Sequence, residues 1–136
     1  MKPPYDFMVF SQEAKLIRVA FVDDHPMLLH GMSEIFGRKK DFEIVANGVN
    51  ADDAIEIASK HGPDILFVDL SMPGDVFGAI KLISRKFPDV RVIVFTAFSG
   101  LDYLLKALEA GATGFVLKGG NSRDLTDAVD VVMNGE

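Results

Sequence analysis

The stretch Leu16-Ile17-Arg18-Val19-Ala20-Phe21-Val22-Asp23-Asp24-His25-Pro26 decides how the rest of the chain is read. Residues 16–22 are apolar apart from Arg18, and two carboxylates follow them directly. A run that is apolar at consecutive rather than alternate positions suits a strand covered on both faces, as in a parallel sheet. Pro26 suits the first position of a helix, where its missing N–H leaves no bond unmade. His25 therefore reads as a helix start, and neither it nor His30 or His61 stands in a metal-ligand or catalytic pattern.

The same alternation recurs along the chain. Residues 65–68, 92–95 and 115–117 are further apolar runs rich in β-branched and aromatic side chains, and residues 42–46 are a weaker one. Between them, Leu28/Met32/Ile35/Phe36, Ala54/Ile57/Ala58, Ile80/Ile83/Phe87 and Leu101/Leu104/Leu105/Leu108 recur at spacings of three and four, as do Leu125/Ala128/Val129/Val132 after the last run. Each set predicts a helix with one apolar face. The four leucines of the fourth set are expected in the core, with Tyr103 and Lys106 elsewhere on that helix and free to face a partner. Asn50 or Asp52 can cap the second helix, Gly62-Pro63 ends it, Pro88-Asp89 follows the third, and Gly111 stands past the fourth. Five strands alternating with five helices predict a single doubly wound (βα)5 domain of the α/β class, with a parallel five-stranded sheet of order 2-1-3-4-5. Its chemistry should collect at the carboxyl ends of the strands, beside the reversal between the first and third.

Composition narrows the functions. The 136 residues fit one domain, and the absence of cysteine excludes disulfide frameworks, thiolate metal sites and cysteine nucleophiles together. Fourteen Lys and Arg against 20 Asp and Glu give a net charge of −6, which argues against a face that tracks nucleic-acid phosphates. The densest basic cluster is only Arg38-Lys39-Lys40. No apolar run approaches the roughly 20 residues of a membrane span. Residues 1–15, with Lys2, Pro3, Pro4 and Asp6, match a secretory signal poorly. A cytoplasmic protein without membrane contact is expected, with residues 1–15 as an N-terminal arm and residues 16–136 as the domain.

The strand ends carry the chemistry. The first runs into Asp23-Asp24, the third into Asp69, the fourth into Thr96 and the fifth into Lys118. One carboxylate after a strand commonly caps the next helix. Three at adjacent strand ends repel one another unless a cation compensates, and oxygen donors of this kind suit Mg²⁺. With its charge offset, a carboxylate can attack phosphorus, while an ammonium and a hydroxyl meet the oxygens of a transferring phosphoryl group.

These residues resemble the receiver domains of two-component response regulators. The resemblance covers residues 17–135 and rests on Val22-Asp23-Asp24-His25-Pro26, Val68-Asp69-Leu70-Ser71-Met72-Pro73-Gly74, Phe95-Thr96-Ala97 and Gly111-Ala112-Thr113-Gly114-Phe115-Val116-Leu117-Lys118. It implies a flavodoxin/receiver-like fold and a phosphoacceptor at Asp69. It further implies Mg²⁺ held by Asp23 (through water), Asp24, Asp69 and the backbone carbonyl of Ser71. Thr96 and Lys118 would grip the phosphoryl group, and Thr96 and Phe115 would act as the switch pair. The implied partners are a sensor histidine kinase or phosphotransfer protein and, on phosphorylation, a second copy of the domain. The domain would assist its own phosphorylation and dephosphorylation rather than turn over a separate substrate. Asp-Asp-His-Pro and Gly-Ala-Thr-Gly-Phe resemble the NarL/FixJ branch, whose members contact DNA through a following helix-turn-helix domain.

Three features depart from the family. Gly78 stands nine positions after Asp69 rather than eight, with Asp75-Val76-Phe77 filling the interval, so a longer loop is expected before the third helix. Gly119-Gly120 follows Lys118 where many members have proline, so no cis bond is expected. Phe98, two positions past Thr96, is bulky and apolar where the family tunes loss of the phosphoryl group, and it predicts slow hydrolysis unless it merely packs on the fourth helix. Other functions fit less well. A haloacid-type Mg²⁺-dependent phosphohydrolase needs a second aspartate where Ser71 stands, and a dinucleotide-binding domain needs a glycine-rich turn where Asp23-Asp24 would repel the phosphates. A stand-alone phosphorelay receiver remains an alternative within the family.

Overall fold

The computed structural model describes residues 16–135, and the arm expected over residues 1–15 lies outside them. Each apolar run becomes a strand and each amphipathic stretch the crossover to the next. The order is β1 (Ile17–Val22), α1 (Pro26–Gly37), β2 (Phe42–Gly48), α2 (Ala51–His61), β3 (Ile65–Val68), α3 (Val76–Lys86), β4 (Arg91–Thr96), α4 (Leu101–Ala110), β5 (Gly114–Leu117) and α5 (Ser122–Met133). All strand pairings are parallel, and the sheet order is β2-β1-β3-β4-β5, as expected.

The central strands are the ones with unbroken apolar runs, and every residue of β3 is buried. β2 is an edge strand whose only fully buried residue is Gly48, which is why its run reads weakly in sequence. Against β1 its register slips between Val19 and Ala20, leaving Val45 as the extra residue of a bulge.

The two sheet faces are packed differently. Under α1 and α5 lies an aromatic cluster, with ring centroids 5.4 Å apart for Phe21–Phe36 and 5.6 Å apart for Phe21–Phe67. Under α2, α3 and α4 the core is aliphatic, built on Leu66, Val68, Ile80 and Ile83. Short polar motifs set the helix ends. Asn50, not Asp52, caps α2 by accepting from the Asp53 N–H at 2.8 Å, and Gly62 and Gly111 close α2 and α4 in the left-handed region. Asp75 caps α3 by accepting from the Gly78 N–H at 3.0 Å, so Val76 and Phe77 of the lengthened interval are already helical. No peptide bond is cis among the described residues. Nor is any helix among them long and apolar enough to cross a membrane.

The expectation that the α4 leucines are core is corrected. Leu101 and Leu108 are each 65% exposed, and Leu104 and Leu105 are exposed as well; only Ala107 and Ala110 of that helix are buried. The physical reason is position. The small face of α4 packs toward α3 and the last strands, and four-residue β5 at the sheet edge offers too little surface to cover the leucines. Tyr103 and Lys106 are exposed, as expected.

Candidate functional site

The strand ends bring their polar groups together by carrying the sheet ladder one residue further. The Asp23 N–H donates to the Gly48 carbonyl at 3.0 Å, that of Asp69 to the Val22 carbonyl at 3.0 Å, and that of Lys118 to the Thr96 carbonyl at 2.8 Å. These bonds hold the three Cα positions before any side chain acts. Asp23 and Asp69 are buried, at 2% and 1% exposure, while Asp24 opens to solvent.

Lys118 reaches into this pocket over the Phe95 ring, with Nζ 2.8 Å from Asp23 Oδ2 and 3.2 Å from Asp69 Oδ1. Both distances are those of an ion pair, yet the alignment is not that of a hydrogen bond, and these two buried oxygens accept none. Two buried carboxylates thus share one ammonium, which leaves negative charge uncompensated. Ser71 Oγ donates to the other Asp69 oxygen, Oδ2, at 2.6 Å. Three converging carboxylates set against one ammonium are the oxygen donors a hard divalent cation takes, so the residues present fit such an ion.

His25 belongs to the same cluster, which its sequence reading missed. It does begin α1 with Pro26 at the first position, as expected. Its Nδ1 also lies 2.6 Å from Asp23 Oδ1, 3.1 Å from Asp24 Oδ1 and 3.9 Å from Asp69 Oδ2. Donation to Asp23 and the charge of that carboxylate push the imidazole pKa up, with Asp24 adding to the rise and Lys118 and partial loss of water opposing it. The available signal was adjacency, since a residue following two cluster carboxylates leaves the same strand end.

Thr96 and Phe115 stand beside the cluster rather than in it. Thr96 is fully buried, and its Oγ1 accepts from the Phe98 N–H at 3.0 Å. Phe115 pairs in register with Val94 of β4 and is half-buried against the aliphatic core. Phe98 packs on the fourth helix, as the second of its two readings has it, and also stands at the site. It stacks on Tyr103 of α4 with centroids 4.6 Å apart, and it lines the site's mouth, a hollow of about 490 Å³, together with His25, Met27, Leu28 and Lys118. A larger apolar hollow of about 820 Å³ lies over β5, between Leu104 and Val131. Asp124 and Asp127 line it but Asp23, Asp24 and Asp69 do not, so size does not mark the acidic cluster in this fold.

The description "response regulator receiver domain" matches residues 19–130. The chain belongs to that family. The receiver is 35% identical over 122 residues to the oxygen regulatory protein NreC of Staphylococcus epidermidis, covering 88% of this chain and 56% of that protein. It is 33% identical over 121 residues to the transcriptional regulatory protein DegU of Brevibacillus brevis, covering 88% of this chain and 51% of that one. It therefore spans about half the length of the curated relatives it matches. Among solved structures it is similar to the signal receiver domain of the putative response regulator NarL of Mycobacterium tuberculosis (27% identity, TM-score 0.83, 90% of this chain and 99% of that one). It is also similar to a LuxR-family two-component response regulator of Aurantimonas (31% identity, TM-score 0.84, 90% and 88%). The NarL-type resemblance read from Asp-Asp-His-Pro and Gly-Ala-Thr-Gly-Phe is thus matched in sequence and in fold, and the domain is that of a signalling protein.

Proposed function

We propose that this receiver takes a phosphoryl group onto Asp69 from the phosphohistidine of a sensor histidine kinase or phosphotransfer protein, and that the modified state controls an output. The observation that carries this reading is the buried Asp69 carboxylate, flanked by the carboxylates of Asp23 and Asp24 and by the Lys118 ammonium. An Asp69 oxygen attacks phosphorus in line, the P–N bond breaks, and its electron pair leaves with the donor imidazole. Asp23, Asp24, Asp69 and the Ser71 backbone carbonyl are the groups that would hold Mg²⁺, whose charge, when bound, offsets that of the carboxylates and of the phosphoryl oxygens. Lys118 supplies a fixed charge to one phosphoryl oxygen. The Thr96 hydroxyl accepts from the Phe98 N–H and so keeps its own proton for a second. As Thr96 turns toward the new charge, half-buried Phe115 fills the space it leaves, and the surface around α4 and β5 changes shape.

The partner proposals follow from that surface. Leu101, Leu104, Leu105, Leu108 and Leu117 stand exposed around it, which suits pairing with a second copy on phosphorylation. Transcriptional control through a helix-turn-helix domain outside residues 1–136 is the corresponding reading of the output. Incubation with a small-molecule phosphodonor, with and without Mg²⁺, tests the central step. Intact mass should rise by one phosphoryl group only with Mg²⁺, and sizing should report pairing of the modified form. No gain in mass with Mg²⁺ present would sink the proposal.

The mouth makes a separate prediction. The Phe98 ring, held on Tyr103, lines the hollow shared with His25, Ser71 and Lys118, and we infer that it screens a phosphoryl group on Asp69 from water entering there. Phe98→Glu replaces that cover with a carboxylate able to orient water, so the phosphorylated mass should decay several-fold faster after the donor is removed. A lifetime equal to that of the wild type would show that the ring does no more than pack on α4.

A further inference from the structure

Resting on the reading of Asp23, Asp24 and Asp69 as the cation-holding carboxylates, we propose that His25 is an additional ligand of the bound divalent cation and turns the pocket's preference toward ions that accept nitrogen, such as Co²⁺ and Ni²⁺, over Mg²⁺. The ring nitrogen and the three carboxylates converge on one place, with Nδ1 hydrogen-bonded to Asp23 and near ligand spacing from Asp24 and Asp69. Around an ion with bonds of about 2.1 Å, adjacent ligands of an octahedron stand about 3 Å apart and opposite ones about 4.2 Å. From His25 Nδ1 the distances to one oxygen each of Asp23, Asp24 and Asp69 are 2.6, 3.1 and 3.9 Å. One donor atom from each of the four side chains falls within 4.8 Å of all the others.

The ring is placed there by its backbone. The His25 N–H donates to Asp23 Oδ1 at 2.9 Å, and its carbonyl accepts from the N–H groups of Leu28 and Leu29 at 3.0 and 3.1 Å. His25 is thereby fixed to the acidic loop on one side and to the first turn of α1 on the other. The pocket also holds more negative than fixed positive charge, because three carboxylates, two of them buried, gather around the single ammonium of Lys118, which faces Asp23 Oδ2 and Asp69 Oδ1 and leaves Asp23 Oδ1 and Asp69 Oδ2 on the His25 side.

The selectivity follows from ligand chemistry. On binding, the ion takes the place of the Nδ1 proton that points at Asp23 Oδ1; that proton leaves to solvent, and the neutral imidazole keeps its proton on Nε2 and gives the Nδ1 lone pair to the ion. Mg²⁺ prefers oxygen and retains water, so it gains little from that nitrogen, whereas the affinity of mixed nitrogen and oxygen sites rises from Mn²⁺ through Co²⁺ to Ni²⁺.

The test is calorimetric titration of the full chain with Mg²⁺, Co²⁺ and Ni²⁺ as chloride salts, in wild type, His25→Ala and Asp24→Asn, together with pulsed electron paramagnetic resonance of the Mn²⁺-loaded protein. The His25 side chain is 59% exposed, so its removal leaves the fold intact. His25→Ala should weaken Co²⁺ and Ni²⁺ binding about tenfold, change Mg²⁺ binding by less than about twofold, and remove a nitrogen coupling seen with Mn²⁺. An unchanged ratio of Ni²⁺ to Mg²⁺ affinity, or tighter Mg²⁺ binding in His25→Ala, would overturn the assignment, the latter by showing the ring to be a competitor of the cation. Unchanged Mg²⁺ binding in Asp24→Asn would instead overturn the carboxylate site itself, and the ligand role of His25 with it.

Discussion

Asp69→Asn should take up no phosphoryl group from a small-molecule phosphodonor in the presence of Mg²⁺, with intact mass remaining that of the unmodified chain. An amide oxygen is a poor nucleophile toward phosphorus, and the substitution removes one of the carboxylates that would hold the cation. No neighbouring group replaces it. Asp23 is equally buried but is tied to Lys118 through Oδ2 and to both nitrogen donors of His25 through Oδ1, and Asp24 lies on the solvent side. The loss should not be one of folding. Asparagine has the same shape, its carbonyl oxygen can still accept from Ser71 Oγ, and the change removes one of two buried charges that compete for a single ammonium. A thermal midpoint at or near that of the wild type, with no incorporation, is the expected pair of results. Incorporation at the wild-type level would mean that another residue is the acceptor.

Lys118→Ala should have the largest effect on stability of any single substitution at the site. The ammonium is the one cation within ion-pair distance of both Asp23 and Asp69, apart from whatever charge His25 carries, and its side chain is only 15% exposed. Removing it leaves two buried carboxylates facing one another, and breaking a buried pair in this way costs about 3–5 kcal/mol. Against the roughly 5–15 kcal/mol of a whole domain, that is a large fraction. The urea midpoint should fall accordingly, and Lys118→Met, which keeps the stem over Phe95 but not the charge, should fall nearly as far. Added Mg²⁺ should raise the midpoint of both variants more than that of the wild type, because a cation bound only in the folded state replaces the missing charge. Phosphoryl uptake should slow even where Mg²⁺ restores folding, since no fixed positive charge then meets the transferred oxygens. A stability loss under about 1 kcal/mol would indicate that water already shields the two carboxylates.

The exposed face of α4 separates what a periodic pattern says from what a fold does with it. Leu101, Leu104, Leu105 and Leu108 recur as the core positions of the other helices do, and the period correctly marks a shared apolar face. A period carries no information about what lies opposite that face. Only the assembled sheet, with β5 four residues long and at the edge, leaves the leucines uncovered. In a domain proposed to change shape around α4 and β5, such a surface is available to a second molecule without any core being opened.

Local chemistry in the sequence determined the fold and most of the candidate site. Unbroken apolar runs required strands covered on both faces, helical periods required crossovers between them, and the right-handed rule then left little choice of sheet order. Because strands in such a sheet are parallel, residues that follow successive runs must gather at one edge, and so Asp23, Asp24, Asp69, Thr96 and Lys118 could be grouped before any coordinate was known. What needed the tertiary structure were the relations between residues that no spacing encodes. These include Nδ1 of His25 among three carboxylates, the lone ammonium shared by two buried oxygens, the choice of Asn50 over Asp52 as a cap, and the Phe98 ring stacked on Tyr103 across the mouth. Backbone periodicity fixes where a residue's Cα travels to within an element. Side-chain direction and burial depend on neighbours contributed by distant parts of the chain, and these exist only once the layers have packed.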